Sequence, residues 1–168
     1  MADKLTPSQR HHCMASIRSK NTRPEWVVRR FLFSQGFRYR IHAKVLSGTP
    51  DITLVNLRTC IFINGCFWHG HEGCSLYVTP KTNTDFWTSK VERNKSRDQR
   101  VLKELKQSGW HTITIWECQL KPKEREQTLQ GLLRTLNLIQ LENIGAKFHY
   151  NLDSEDEYSS MVAEDEDI

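Results

Sequence analysis

Ile52-Thr53-Leu54-Val55-Asn56-Leu57-Arg58-Thr59-Cys60-Ile61-Phe62-Ile63 holds two short runs of β-forming residues, Ile52 to Leu57 and Thr59 to Ile63, with almost nothing between them. Such a pair reads as a hairpin. A further β-type run, Tyr39 to His42, lies upstream, and another, Trp110 to Trp116, lies downstream. Between the hairpin and Trp110 come a loop rich in Gly, Cys and His and then a helical pattern from about Thr84 to Ser108, closed by Gly109. A helix before the hairpin is marked by Thr22 as cap, Pro24 in the first turn, the stripe Val27, Val28, Phe31 and Leu32, and a stop at Gly36. A last amphipathic helix, about Lys123 to Leu136, carries Leu129, Leu132, Leu133 and Leu136. Strands interspersed with helices on both sides predict an α/β architecture, a central mixed β-sheet flanked by helices. Residues 6–19 predict one more helix, polar and with only Met14, Ala15 and Ile17 to bury, so it is either loosely attached or ordered by a ligand.

A chain of 168 residues fits one domain with a real core. It has no stretch of the roughly 20 apolar residues that a membrane span needs, and no apolar signal region follows Met1, so a soluble intracellular protein is expected. The net charge of +4 hides an asymmetry: eight of the 20 acidic residues fall after Asn151, where no Lys or Arg occurs. The preceding body thus sets 24 basic side chains against twelve acidic ones. A body so basic points to a polyanionic partner, with nucleic acid foremost, while residues 151–168 read as an acidic, disordered tail.

Five cysteines are an odd number for a disulfide framework, and clustered Cys and His more often mean metal. Cys66, His71 and Cys74 fall within nine residues, and Cys118 directly follows a β-run. Two or three close ligands plus a distant one would staple the loop to the fold around a tetrahedral zinc. A Cys3His shell is closed, so this zinc is expected to be structural; ordinary buried thiols beside a surface His are the alternative.

Asp51 follows Ser47-Gly48-Thr49-Pro50 at the mouth of the hairpin, where a carboxylate suits a hard divalent cation, although Pro-Asp is also common turn chemistry. His69 is spare once the four zinc ligands are assigned, and so is a candidate general base. Asp98 lies on the stripe of Trp87, Val91, Leu102 and Leu105, and an inward carboxylate needs a partner such as His69. Lys90, Arg93, Arg97 and Arg100 form a basic face, either solvated or in contact with phosphate. Glu25 suits the first turn of its helix by the dipole alone. Phe67 and Trp68 either pack over the metal or wedge between bases.

Met14-Ala15-Ser16-Ile17-Arg18, Asn21-Thr22, Glu25, Gly48-Thr49-Pro50-Asp51, Gly65-Cys66-Phe67-Trp68-His69, Phe86-Trp87 and Trp116-Glu117-Cys118 resemble, in order, the very short patch repair (Vsr) mismatch endonucleases. The resemblance spans about residues 10–120. It implies a restriction-endonuclease-like fold with residues 21–150 as the nuclease domain and residues 1–20 as a DNA-clamping helix. It also implies a nick 5′ to the thymine of T·G mismatches left by deaminated 5-methylcytosine. In the same reading Asp51 binds catalytic magnesium, His69 backed by Asp98 activates water, and Glu25 helps position water near the metal. Phe67, Trp68, Met14 and His69 enter the duplex beside the mismatch. Lys90, Arg93, Arg97 and Arg100 are the expected phosphate contacts, and zinc is the second metal. The expected setting is a monomer on DNA in the bacterial cytoplasm, paired in function with a cytosine-5 DNA methyltransferase and other mismatch-repair proteins. Asn64 departs from the family, which often has His there; Thr49 replaces a basic residue, and Gly73 lengthens the zinc loop by one. A restriction-type nuclease on paired DNA and a non-catalytic zinc module that binds mismatches remain as alternatives.

Overall fold

The structure, a computed structural model, describes the backbone of residues 6–163 apart from Ile17, and the side chains of these residues apart from Pro7, Arg10, Cys13, Met14 and residues 145–163. Helix α1 spans Pro7–Ser16, and α2 spans Arg23–Ser34. Strands β1 (Arg40–Ile41), β2 (Ile52–Leu54) and β3 (Thr59–Asn64) precede helix α3 (Thr84–Gln107), strand β4 (His111–Trp116) and helix α4 (Arg125–Ala163).

The four strands form one sheet in the order β1-β2-β3-β4. The hairpin is present: β2 and β3 are antiparallel with Ile52 opposite Ile61, and β1 adds antiparallel to β2. The hairpin turn is a 3-10 turn over Val55–Leu57 ending at Arg58 in the left-handed region. β4 lies parallel to β3 from Thr59↔His111 to Asn64↔Trp116. A parallel neighbour needs a crossover, and α3 supplies it. The sheet is therefore mixed, as the order of elements predicts.

Alternation along β3 builds two cores. Ile61 faces one way and packs with Val28 and Leu32 of α2, Ile52 and Leu54 of β2, Ile115 of β4, and Leu129, Leu132, Leu136 and Ile139 of α4. Cys60 faces the other way, against Val101 and Leu105 of α3, with Phe62 and Trp110 beside them. Helices thus cover both faces of the sheet. On α3 the buried positions are Val91, Val101 and Leu105, so Val101 rather than Leu102 continues the stripe; Trp87 and Leu102 are only half-buried.

Both amino-terminal helices start on reciprocal caps. Thr6 and Gln9 exchange backbone-to-side-chain bonds at 2.9 and 3.2 Å, as do Thr22 and Glu25 at 3.2 and 3.5 Å. Two lengths differ from expectation. α1 ends at Ser16 rather than near residue 19, and α4 runs on to Ala163 instead of stopping near Leu136, since no proline follows Pro122 to break it, and Gly131 and Gly145 lie within the helix. Residues 164–168, the end of the acidic segment, lie outside the described residues.

Candidate active site and metal centre

One cleft of about 710 Å³ opens where β3 and β4 end, between the start of α2 and the middle of α3. Asp51, Glu25, His69 and Asp98, drawn from four different elements or loops, all line it.

Asp51 stands at the entry to β2. β3 runs three residues past its last pair with β2, Ile52↔Ile61, and there Asp51 Oδ2 accepts the Ile63 N–H at 2.7 Å. Thr49, two residues before, is held at φ 50°, a left-handed value rare for a β-branched residue, and Gly48 precedes it at φ 71°. A Cβ on Gly48 would collide with Val101 of α3, so this glycine lets the loop press against the helix. Burial raises the Asp51 carboxyl above its ordinary range, and the neighbouring Glu25 adds to this, while the Ile63 bond, His42 and Arg29 offset part of it. A carboxylate so placed is poised to take a cation.

Glu25 is buried at 3% exposure, and both of its oxygens are engaged. Oε1 accepts from the Thr22 N–H and hydroxyl at 3.2 and 2.9 Å; Oε2 accepts from the Asn21 N–H at 3.1 Å and Arg29 Nη2 at 2.5 Å. Arg29 also donates to Asn21 Oδ1 at 2.7 Å and contacts His42 Nε2 at 3.1 Å. Glu25, His42 and Asp51 bring ligating atoms within 4.8 Å of one another. His42 was not among the sequence candidates. A lone His ending a β-run nine residues before Asp51 carries no local signal, because only the pairing of β1 with β2 brings it to the cleft.

On the opposite wall His69 Nδ1 meets Asp98 Oδ2 at 2.5 Å, and Asp98 Oδ1 accepts from Arg97 Nε and Nη2 at 3.2 and 2.9 Å. Burial works against the Asp98 charge, but the bonds from His69 and Arg97 outweigh it and hold the carboxyl below its ordinary value. One turn earlier on α3, Asn94 Nδ2 donates to the Trp68 carbonyl at 2.8 Å, fixing the peptide that enters His69. The arrangement places an oriented imidazole, paired with the half-buried Asp98, in one cleft with the half-buried Asp51. Asn64 and Thr49 line the same cleft.

Behind the cleft Cys66, His71, Cys74 and Cys118 bring ligand atoms within 4.8 Å of one another. His71 Nδ1 lies 3.5 Å from Cys66 Sγ and 3.4 Å from Cys118 Sγ, and its ring stacks on Trp116 with centroids 4.1 Å apart. Burial pushes the Cys66 thiol up to about 12, so a thiolate there requires a compensating cation. The Leu76 N–H, donating to Cys74 Sγ at 3.4 Å, lowers that thiol instead. Three sulfurs and one imidazole nitrogen match the donor set of a tetrahedral soft-metal site. Gly73 sits at φ 71° with open space around it, and the loop closes on the four ligands.

Phe67 and Trp68 lie edge to face, 5.2 Å apart, and both contact Trp87 of α3, which contacts the exposed Phe86. Lys90 Nζ is 5.4–5.8 Å from the rings of Trp68, Phe86 and Trp87. Of the four expected phosphate contacts, Lys90 and Arg97 line the cleft; Arg93 bonds the Ser89 carbonyl and Arg100 pairs with Glu104. The Met14 side chain lies outside the described residues.

Known proteins share this pattern. The family described as DNA mismatch endonuclease Vsr matches residues 2–75. The type II nicking enzyme V.XorIIP of Xanthomonas oryzae is 48% identical over 120 residues, covering 71% of this chain and 88% of the relative. V.NmeAIP of Neisseria meningitidis, also a type II nicking enzyme, is 49% identical over 123 residues, 73% of this chain and 87% of its own. The DNA mismatch endonuclease Vsr of Escherichia coli is 36% identical over 125 residues, 74% and 80% of the two chains. With relatives this similar over most of both lengths, and with the motif residues gathered around one cleft, the chain belongs to the Vsr family of DNA mismatch endonucleases.

Proposed function

We propose that this protein nicks one strand of duplex DNA 5′ to the thymine of a T·G mismatch, with magnesium at the catalytic site and zinc in the Cys3His centre. The observation that carries this reading is the juxtaposition of Asp51 and the His69–Asp98 pair in one cleft beside the aromatic cluster.

Asp51 would hold the magnesium ion, with Glu25 nearby keeping the surrounding loop in place. Bound there, the ion supplies Lewis-acid stabilisation of charge developing on the phosphate. Asp98 fixes His69 through Nδ1, which leaves Nε2 as the basic nitrogen. His69 Nε2 would take the proton of a water as that water attacks phosphorus, and the bond to the leaving sugar oxygen breaks, that oxygen taking up a proton from solvent to leave as a hydroxyl. Phe67 and Trp68 wedge beside the mismatch, and insertion of the rings makes the reaction selective for a weakened pair. Met14 joins them from the amino-terminal helix, with residues 1–20 clamping the duplex. Lys90, Arg93, Arg97 and Arg100 neutralise phosphates.

The Cys66, His71, Cys74 and Cys118 shell has no position left for substrate, so its zinc is structural. It tethers the loop bearing Phe67 to His69 to the end of β4. The mixed sheet with helices on both faces supports a restriction-endonuclease-like fold of residues 21–150. The protein works as a monomer on bacterial cytoplasmic DNA. It repairs deamination damage at sites made by a cytosine-5 DNA methyltransferase, with other mismatch-repair proteins downstream. A single-turnover assay on matched duplexes carrying T·G, T·A or C·G at one position tests the reading. Magnesium-dependent nicking of the T·G strand alone is expected, and equal cutting of the paired duplexes would refute it.

A further inference from the structure

Both walls of the cleft hang from α3. Asp98 holds the His69 ring, and Asn94 holds the peptide that enters it. Farther along the same helix, three consecutive residues of the loop before β2 are docked. Leu46 packs on the cluster of Cys60, Val101 and Leu105. Gly48 sits so close that a Cβ there would stand 2.4 Å from Val101 Cγ1. Between these two, the Ser47 hydroxyl donates to Glu104 Oε2 at 2.5 Å, joining positions 57 residues apart in the chain. The apolar contacts press the loop against the helix but leave it free to slide. The hydroxyl–carboxylate bond is directional and charge-assisted, so it sets where along the helix the loop rests. From there the chain runs through Thr49 at φ 50° and the fully buried Pro50 straight into Asp51. A proline with its fixed φ leaves little slack, so a shift of Ser47 is passed on to Asp51. Six residues of helix, about 9 Å, separate Asp98 from Glu104.

We propose that Ser47 and Glu104 are positioning residues for the nicking reaction: their bond fixes Asp51 along α3, and so fixes its spacing from His69, which the same helix holds. This rests on the reading of Asp51 as the cation ligand and His69 as the base. A cation and a base must reach one phosphate together, and a misplacement of 1 Å is enough to cost about a hundredfold in rate. Asp51 keeps its bond to the Ile63 N–H whether or not Ser47 is anchored, so its ability to take a cation does not depend on Glu104. What depends on Glu104 is the distance between the two walls.

Four variants of the full-length, zinc-loaded protein separate this role from a structural one. Ser47→Ala removes the donor and leaves the Arg100–Glu104 pair in place. Glu104→Ala removes the acceptor, Glu104→Gln keeps an oxygen for the Ser47 hydroxyl, and the double alanine variant closes a cycle. Single-turnover nicking of a T·G duplex is measured at saturating magnesium, at a temperature where melting curves show every variant folded. Duplex affinity is measured separately, and manganese binding to DNA-free protein is read from the free-ion electron paramagnetic resonance signal, with Asp51→Asn as control. The expected result is about tenfold slower nicking for Ser47→Ala and for Glu104→Ala, with the double variant no slower than either. Glu104→Gln should stay within about threefold of wild type, and manganese and duplex affinities should hold within about twofold throughout. The proposal is overturned if the alanine variants nick at the wild-type rate, if their losses multiply in the double variant, or if manganese affinity falls as far as the rate. Should Glu104→Ala not fold, Ser47→Ala decides alone: slower nicking with manganese affinity intact upholds the proposal, and a wild-type rate overturns it. Manganese binding that Asp51→Asn leaves unchanged would instead refute the reading of Asp51, and the proposal with it.

Discussion

Asp98→Asn tests the catalytic wall most sharply, because Arg97 dictates how the new amide must turn. Both donors of Arg97 reach Asp98 Oδ1, while Oδ2 faces His69 Nδ1 at 2.5 Å. An asparagine has one oxygen and one NH2 group. Arg97 claims the oxygen, so the NH2 group is left facing His69. The imidazole then accepts at Nδ1 and carries its proton on Nε2, the tautomer that cannot take a proton from water. Loss of the charge-assisted bond alone is worth roughly 1.5–3 kcal/mol, or about ten- to a hundredfold in rate. Reversing the tautomer extends this to about 10³–10⁴, the size of effect when an orienting carboxylate is turned into its amide.

The cause separates from the bond itself in a double-mutant cycle. With Arg97→Ala the amide is free to rotate and present its oxygen to His69, so Asp98→Asn in that background is expected to lower single-turnover nicking only about ten- to a hundredfold. The assay compares rates at saturating magnesium, with T·G duplex binding measured separately. An Asp98→Asn penalty as large in the Arg97→Ala background as in wild type would refute the tautomer reasoning, and nicking within threefold of wild type for Asp98→Asn would refute the His69 role altogether. Stability adds a sign. Because His69 and Arg97 hold the Asp98 carboxyl below its ordinary 3.8, the pair stabilises the fold fully above that value and fades as pH falls through the lowered one. Asp98→Asn should lack that acid-side loss in a melting series.

Asp51→Asn should abolish nicking while leaving T·G duplex binding intact in a mobility-shift assay, and its Tm should rise, since the amide keeps the Ile63 bond and removes a buried charge. As burial raises the Asp51 carboxyl, wild-type stability from this group falls as pH climbs from 3.8 through the raised value, and the variant should not show that fall. Cys118→Ser should lose stoichiometric zinc in metal analysis and lower Tm by about 5–10 °C, as a staple worth roughly 2–3 kcal/mol in a domain of this size would; unchanged zinc content would remove Cys118 from the shell. Trp68→Ala should weaken T·G duplex binding about ten- to a hundredfold, a stacking loss of roughly 1–3 kcal/mol, without altering affinity for paired DNA.

The hairpin and the helix ends were legible because they rest on local rules: β-forming runs at Ile52–Ile63, Thr22 as the cap of α2, Gly109 after α3. The Cys66, His71 and Cys74 spacing was legible for the same reason, and Cys118 because it directly follows a strand. What local reading could not supply was convergence. Glu25 looked like a helix-start acid and is one, yet its capping partners are the residues that deliver Arg29 to His42. His42 gains meaning only through its register beside β2, and Lys90 was read as one of four equivalent cations although it alone sits over three rings. The length of α4 was missed because its buried positions end at Ile139 while nothing in residues 140–144 breaks the helix.

Why wedge and base share one short loop follows from how α3 holds it. Trp87, Asn94 and Asp98 follow one another along α3 at spacings of seven and four residues, about two turns and one turn, and they touch in turn the ring of Trp68, its carbonyl and the ring of His69. Eleven residues of helix put Trp87 and Asp98 about 16 Å apart along one rigid axis. The four-ligand cluster grips the loop from behind, through Cys66 and His71 on either side of these same residues. α3 sets where the rings and the imidazole point, and a metal held by the four ligands would keep the loop against the end of β4. A displacement of Phe67 or Trp68 by DNA therefore loads the peptide that Asn94 holds, and that peptide carries His69. In the proposed reading, mismatch recognition and water activation would thus form one mechanical unit, and a base pair that refuses the wedge would leave the imidazole without its substrate.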